Sequence, residues 1–479
     1  MTWLAGLLPI EGERLRRAIF AVALLGVLSK AVVGMLVFSH DSRAVFESSD
    51  SHEYHQLALN ILRYGSFSQS ANPPLEPEMI RTPAYPFLLA CMYRLAGLRP
   101  NAVVVIQIAL SLVTMLAGCR IATLLFGQRA GLLTGIFLAL DPVSLYYSQV
   151  ILTETLFAAA LTLSLLGILY ALRRPSFQYP CWAGMGLALA TYTRPTGYYL
   201  GILLPVGLFL AVMRARGWRP ALTSAVLMWL MFAVPIAGWQ IRNYVSTGSA
   251  EFSQAKNQYL LIAKAAAIVA VRDGLSLQDA QQRLAEQHAA TLRRDVARSS
   301  AAALLESQGR FAQAIVAAHP VLLIRTTLQG AAANLFGPSN LAHLFGSDNM
   351  ALREAFLRQD FARFALREWI TAIGSWTFGF LFLGVLYAGI GSLLKDKEQR
   401  NWDIALLALT AAYVILVSSG PEAYSRFRMP VMPIFCVLAA GGYLCRVERS
   451  SGEPEGVGNI TAGSEDLAVV LPGGRNPLR

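Results

Sequence analysis

Charge is scarce in this chain. Only 14% of its 479 residues are Asp, Glu, Lys or Arg, 55% are hydrophobic, and the mean hydropathy is +0.47. A soluble globular domain carries roughly a quarter charged residues, so this sequence lacks the polar surface that a water-exposed fold needs. Length alone would favour two or three soluble domains; composition excludes them and points to a polytopic membrane protein. Cysteine is sparse as well. Cys91, Cys119, Cys181, Cys436 and Cys445 sit in apolar runs at no metal-like spacing, which favours neither a disulfide framework nor a zinc site. No glycine-rich dinucleotide fingerprint and no Walker A motif occurs, which disfavours a cytoplasmic nucleotide-sugar enzyme or an ATP-driven pump. The net charge of +11 would suggest nucleic acid for a soluble protein. Here the 40 Lys+Arg stand in small groups between apolar runs, as topology signals do.

What fills the chain is a series of apolar runs near the ~20 residues that a bilayer-crossing helix requires. Ten are predicted to span: 18–38, 101–119 (reaching about 126), 130–150, 153–172, 179–194, 196–213, 220–241, 370–394, 402–419 and 428–446. The first has a basic start and no small-residue cleavage site after it, so it reads as a membrane helix rather than a cleaved signal. Two further stretches are ambiguous. The short run 83–98 contains Arg94 and reads as a helix lying at the interface, and 313–338 is interrupted by His319, Pro320 and Arg325.

Orientation follows the basic residues. One side collects Arg14, Arg16 and Arg17, then Arg120 and Arg129, Arg173 and Arg174, Arg214, Arg216 and Arg219, Lys395, Lys397 and Arg400, and Arg446 and Arg449. With that side cytoplasmic, both termini are cytoplasmic and 83–98 does not cross. The expected organisation is a membrane core over 1–246 with a first external loop 39–100. A mostly helical periplasmic segment over 247–369 follows, amphipathic through 275–311, then membrane helices over 370–446. A Gly-, Glu- and Ser-rich tail, 447–479, reads as disordered.

Charge at or inside a span is costly and is a functional hypothesis by default. Asp50, Glu53, Glu154, Arg194, Arg242, Glu422, Arg426 and Arg428 all map to the external side, with Asp141 deeper in the third span. Asp50 and Glu53 open a helix (Ser49-Asp50-Ser51-His52-Glu53-Tyr54). A carboxylate there can act as general base toward a sugar hydroxyl; the same spacing suits a helix cap with Glu53 completing a capping box. His52 and His55 could ligate a metal beside Asp50, or be solvated surface residues. Arg81-Thr82-Pro83-Ala84-Tyr85-Pro86 opens the interfacial helix. Glu154 starts a span, where the helix dipole favours an acid and where a carboxylate can also orient a sugar or an arginine. Thr193-Arg194-Pro195, Ile241-Arg242-Asn243-Tyr244 and Ser425-Arg426-Phe427-Arg428-Met429-Pro430 supply arginines, the favoured group for clamping phosphate. Any single one could instead snorkel to headgroups; three at separate span ends favour a shared anion site.

These motifs, in order and spacing over residues 18–446, resemble the GT-C superfamily of integral-membrane glycosyltransferases. The likeness is to the bacterial branch related to protein O-mannosyltransferases and the lipid A aminoarabinose transferase, that is, family-39-like. The residues that carry it are Asp50, Tyr54, Ala58 and Gly65; Arg81, Pro83, Tyr85 and Pro86; Ser148, Thr153 and Glu154; Ile241 to Tyr244; and Arg426, Phe427, Arg428, Pro430 and Pro433. The resemblance implies an all-α GT-C-like fold with about ten membrane helices plus periplasmic interfacial helices. It implies transfer, with inversion, of a sugar from a polyprenyl-phosphate donor of the undecaprenyl-phosphate type to a glycan, lipid or protein acceptor. The site would face the periplasm of a bacterial inner membrane, in cell-envelope polysaccharide biosynthesis. It further implies Asp50 as general base, Glu154 as second acid, and substrate contacts by Glu53, Tyr54, Arg81, Tyr85, Arg194, Arg242, Asn243, Arg426 and Arg428. Many relatives have adjacent Asp-Glu, whereas here Ser51 follows Asp50; a divalent metal is not required by the sequence, and metal use stays open.

Two other classes fit many spans with charge. A lipid-carrier or polysaccharide transporter would place its charges near the midplane, often in repeated halves; only Asp141-Pro142 and Lys30 fit that pattern, and no internal repeat is visible. A non-catalytic scaffold would not need clustered acids and arginines.

Overall fold

The computed structural model describes residues 13–40, 44–46, 48–292, 300–337, 366–395, 399–421 and 423–450. The predicted tail beyond 450, Glu422, and part of the 247–369 segment lie outside them. Among the described residues there are helices and no strands. In chain order they are α1 (Glu13–His40), α2 (Ser49–Tyr64), α3 (Ala84–Ala96), α4 (Pro100–Phe126), α5 (Gln128–Leu140), α6 (Pro142–Tyr147), α7 (Glu154–Arg173), α8 (Gln178–Thr193), α9 (Leu200–Arg216) and α10 (Trp218–Thr247). Then come α11 (Ala255–Tyr259), which runs through a π turn into α12 (Ala266–Asp273), α13 (Leu277–Thr291), α14 (Ala301–Ala318), α15 (Pro320–Phe336), α16 (Leu366–Lys395), α17 (Gln399–Val417) and α18 (Met432–Ser450).

Six of these stretches are long and apolar enough to cross a membrane among the described residues: Arg17–Ser39, Pro100–Phe126, Glu154–Arg173, Pro195–Arg216, Trp218–Thr247 and Ser425–Val447. Four of the ten expected spans, 130–150, 179–194, 370–394 and 402–419, are not among them, and the breaks in the apolar runs have local causes. The run 130–150 is broken at Asp141, because Pro142 has no N–H to donate and disfavours helix in the residue before it. Asp141 instead caps α6, accepting from the backbone N–H groups of Val143 and Ser144. The run 313–338 folds back: α14 and α15 meet at 101° across His319, with Pro320 at the first helical position of α15. The 83–98 run becomes α3, 13 residues long, too short to span.

The bundle is assembled around α7, which is almost wholly buried and packs against α4 and α8. Apolar side chains gain nothing by leaving lipid for protein, so close packing of small residues and interhelical hydrogen bonds must hold such helices together. Gly167 of α7 provides that approach: a β-carbon there would lie 3.1 Å from the backbone N and the β-carbon of Ala183 on α8. One turn away, Ser164 donates to the Ala183 carbonyl at 2.7 Å. On the lipid side Phe20, Leu28 and Met35 of α1 stay exposed, as expected for a helix facing hydrocarbon.

Two ends of the bundle differ in chemistry. At one end Arg173 closes α7 onto the buried Asp403 of α17 at 2.6 Å, and Arg216 donates to the Ala171 and Leu172 carbonyls. At the other, α2 and α3 lie on the bundle. The buried stripe Tyr54, Leu57 and Ala58 of α2 follows helical spacing and packs with Tyr85, Leu89 and Tyr93 of α3 and with Val103 and Val104 of α4. That seating leaves the first turn of α2, with Asp50, aimed at the start of α7. Gly65, left-handed at φ 62°, ends α2 with its N–H on the Ile61 carbonyl.

Candidate functional site

At the α7 end of the bundle six charged side chains form one row: Glu53, Arg81, Asp50, Arg426, Glu154 and Arg194. Each link is a direct ion pair. Arg81 Nε meets Glu53 Oε2 at 2.7 Å and its Nη2 meets Asp50 Oδ1 at 2.6 Å. Arg426 Nη2 meets Asp50 Oδ2 at 2.9 Å and its Nε meets Glu154 Oε1 at 2.5 Å. Arg194 Nη1 takes the same Glu154 oxygen at 2.5 Å. Three acids and three arginines alternate, so the row is neutral.

Each residue is delivered by a local feature of the sequence. Glu154 is the first residue of α7 and is fully buried; the positive end of the helix dipole favours a carboxylate there. Arg194 sits before Pro195, which forces an extended backbone (φ −145°, ψ 132°) and turns the side chain back as α8 stops. Asp50 lies in the first turn of α2, but the cap position is Ser48, with no side-chain cap bond. The capping-box alternative is therefore not realised: both acids are engaged by Arg81. Arg81 is presented by a tight turn in which Glu78 Oε1 accepts from the N–H groups of Ile80 and Arg81. Thr82 Oγ1 then donates to the Thr193 carbonyl at 2.8 Å, tying the Arg81 turn to the Arg194 turn.

Aromatic rings line the row. Phe427 lies 5.6 Å from both the Arg194 and the Arg426 guanidinium, and Tyr54 lies 5.3 Å from that of Arg81. The Tyr424 hydroxyl accepts from Arg426 Nη1 at 3.2 Å. Glu154 Oε2, Ser51 Oγ and Ser425 Oγ are buried with no hydrogen-bond partner among the described residues. Burial pushes the Asp50 carboxyl upward, but Arg426 and Arg81 outweigh it and hold the group low, at about 2.

The remaining residues singled out from the sequence stand elsewhere. Arg428 is fully buried two positions after Arg426, but its Nη1 donates to the carbonyls of Asn334, Leu335 and Gly337, and its guanidinium lies 4.3 Å from the Phe378 ring. It closes the C-terminal end of α15, apart from the row, and its Nε and Nη2 are buried with no partner among the described residues. Tyr85 is buried and donates to Gln107 Oε1 at 2.6 Å; Gln107 in turn donates to the Ser148 and Val150 carbonyls. Tyr85 thus pins the segment leading to Glu154. Asn243 donates to the Glu251 and Phe252 carbonyls, and Arg242 packs on Trp239 and donates to the Glu78 carbonyl. Arg242 braces the Arg81 turn from behind, and Asn243 fastens residues 251–252 to α10. His52 stacks on Phe46, and His55 bonds the Tyr93 hydroxyl at 2.8 Å. No group of three or more His, Cys, Asp or Glu side chains fit to hold a metal ion occurs among the described residues.

Gln107, Thr82, Tyr424 and Phe427 escaped the sequence reading as site residues. Only Thr82 and Phe427 left a trace there, as neighbours of arginines in short motifs.

A family model described as dolichyl-phosphate-mannose-protein mannosyltransferase matches residues 80–239. Among solved structures, the chain is similar to the oligosaccharyltransferase AglB of Archaeoglobus fulgidus in complex with an inhibitory peptide and a dolichol-phosphate. The identity is 14% and the TM-score 0.50, over 92% of this chain and 52% of that one. The same archaeal enzyme tethered with an acceptor peptide matches at 13% identity and a TM-score of 0.53, over 92% of this chain and 50% of the other. ArnT of Cupriavidus metallidurans bound to undecaprenyl phosphate is 16% identical, with a TM-score of 0.37, over 89% and 78% of the two chains. No curated protein matches the sequence. The chain spans about half the length of the archaeal structures, and at these identities the likeness establishes the fold. Shared architecture along most of the chain, joined to a mannosyltransferase-type match over 80–239, makes this a multi-pass membrane protein with the GT-C fold of integral-membrane glycosyltransferases.

Proposed function

We propose that the protein is a glycosyltransferase that moves a sugar, with inversion, from a polyprenyl-phosphate donor to a glycan, lipid or protein hydroxyl. On this reading the α7 end of the bundle faces the periplasm of a bacterial inner membrane, with both chain termini in the cytoplasm. The observation that carries it is Arg426: one buried guanidinium bonded at the same time to Asp50 and Glu154. A polyprenyl-phosphate sugar is a phosphodiester, and its leaving polyprenyl phosphate gains charge as the bond to the anomeric carbon breaks. Guanidiniums already fixed in a poorly hydrated site stabilise that charge without reorganising, which is often the largest catalytic contribution. Arg426, Arg194 and Arg81 are placed to do so. Asp50 takes the acceptor hydroxyl proton as the new bond from oxygen to the anomeric carbon forms, and polyprenyl phosphate departs. General-base help of this kind is worth about 10²–10⁴ in rate. Glu154 holds Arg426 and Arg194 together through Oε1, while its free Oε2 is available to a sugar hydroxyl.

The experiment is to incubate the purified full chain with a panel of polyprenyl-phosphate hexoses and pentoses and a membrane extract as acceptor source. Release of polyprenyl phosphate with transfer of the sugar supports the reading. A protein that consumes no donor, or that moves the intact lipid across a vesicle bilayer, overturns it in favour of a carrier.

A further inference from the structure

Each arginine of the row is engaged by at least one carboxylate of the same chain. Arg426 commits Nε to Glu154 and Nη2 to Asp50, and Arg81 commits Nη2 to Asp50 and Nε to Glu53. Asp50 therefore accepts from two guanidiniums, one on each oxygen. A carboxylate held in this way is a weak proton acceptor, whereas a general base works best with a pKa near the operating pH. The site as it stands binds its own base in an inactive form.

The two acids on Arg426 are not equivalent. The Glu154 side chain is fully buried and shared with Arg194; that of Asp50 is 24% exposed and lies in the first turn of a helix, where a side-chain rotation needs no backbone movement. A phosphate and a carboxylate compete for the same N–H edge of a guanidinium. We propose that the donor switches on its own base: its phosphate takes the Nη edge of Arg426 from Asp50, and the released carboxylate turns to the acceptor hydroxyl. Glu154, on Nε, stays as the anchor that keeps Arg426 in place during the exchange. This rests on the polyprenyl-phosphate reading of the site. Around Asp50 the charged or titratable groups are Arg81, Glu53 and Tyr54 from the first loop, Arg426 and Tyr424 from the start of the last helix, and Glu154 with Arg194 beyond them. Once Arg426 is engaged by phosphate, only Arg81 still holds the carboxyl low, so its basicity rises. Order of events follows: without donor the base is silent, and proton removal is confined to the loaded site.

The test uses farnesyl phosphate as probe and the full chain in detergent, by calorimetry. Asp50→Asn and Asp50→Ala remove the internal competitor, and each is expected to bind the probe roughly tenfold tighter than wild type. Glu154→Gln frees the anchor and is expected to bind more weakly. Equal or weaker binding by both Asp50 variants overturns the switch while leaving the site intact; no binding by any form overturns the site and the switch together. A measurement on the wild type alone guards against variants that fold poorly. Modification of Asp50 by a water-soluble carbodiimide, read by mass spectrometry, is expected to speed up several-fold when farnesyl phosphate is present, and unchanged or slower modification overturns the proposal.

Discussion

Arg426 and Arg428 lie two residues apart on one short 3-10 turn, Ser425–Val431, and both are buried. Arg426 gives its hydrogen bonds to side chains: Glu154, Asp50, Tyr424 and Ser48. Arg428 gives its own to three main-chain carbonyls at the end of α15. The last carbonyls of a helix lack partners and carry the negative end of its dipole, so a guanidinium there is a cap. Such a contact cannot be exchanged without undoing the helix end. A carboxylate held at a partly exposed edge can be exchanged for another anion. Residue type, turn and burial are shared; the partners differ, carboxylates for one arginine and helix-end carbonyls for the other.

Substitutions that keep the charge test the contrast most sharply. Arg426→Lys retains a cation but cannot bridge two acids through a planar fork; transfer is expected to fall by about 10²–10³, with the melting temperature little changed. Arg428→Lys should show the reverse, losing about 2–3 kcal/mol of stability through its carbonyl contacts while farnesyl phosphate affinity stays at the wild-type level. A large loss of affinity in Arg428→Lys would break the comparison. A smaller effect is expected from Thr82→Ala, which cuts the tie between the Arg81 and Arg194 turns. A net loss of about 1 kcal/mol should appear as a several-fold rise in donor KM at nearly constant kcat, read from transfer kinetics.

A last effect, confined to acid, is the response of stability to pH. The Asp50 carboxyl titrates at about 2 in the folded protein against 3.8 ordinarily. A lowered carboxylate stabilises the fold fully above the unfolded value and loses that contribution as pH falls through the folded one. The wild type is therefore expected to lose about 1–2 kcal/mol between pH 4 and pH 2, with no contribution from Asp50 to any change above pH 5. Melting curves of wild type and Asp50→Asn should converge over that acid interval. Curves that stay parallel down to pH 2 would show that the pairing of Asp50 with Arg81 and Arg426 contributes nothing.

Much of the site was legible because charge is so scarce. In a chain with 14% charged residues, acids and arginines at span ends stand out, and Asp50, Glu53, Arg81, Glu154, Arg194 and Arg426 meet in one row. What sequence does not carry is the partner of each charge. Arg428 shares a motif with Arg426, yet its partners are carbonyls from α15, about ninety residues earlier, a segment with no local signal. Tyr85 and Asn243 sit in motifs of the right kind, but their hydrogen bonds go to neighbouring backbone and to Gln107. The helical class follows directly from hydropathy. Helix ends were harder, since Asp141-Pro142 and His319-Pro320 interrupt runs whose mean hydropathy alone would continue.

The central claim is that Asp50 and Arg426 form one donor-binding and proton-accepting unit. The direct measurement is sugar transfer from a polyprenyl-phosphate donor by wild type and Asp50→Asn, with farnesyl phosphate binding measured on the same preparations. The expected result is transfer reduced at least about 100-fold with binding tightened. Wild-type transfer by Asp50→Asn would contradict it.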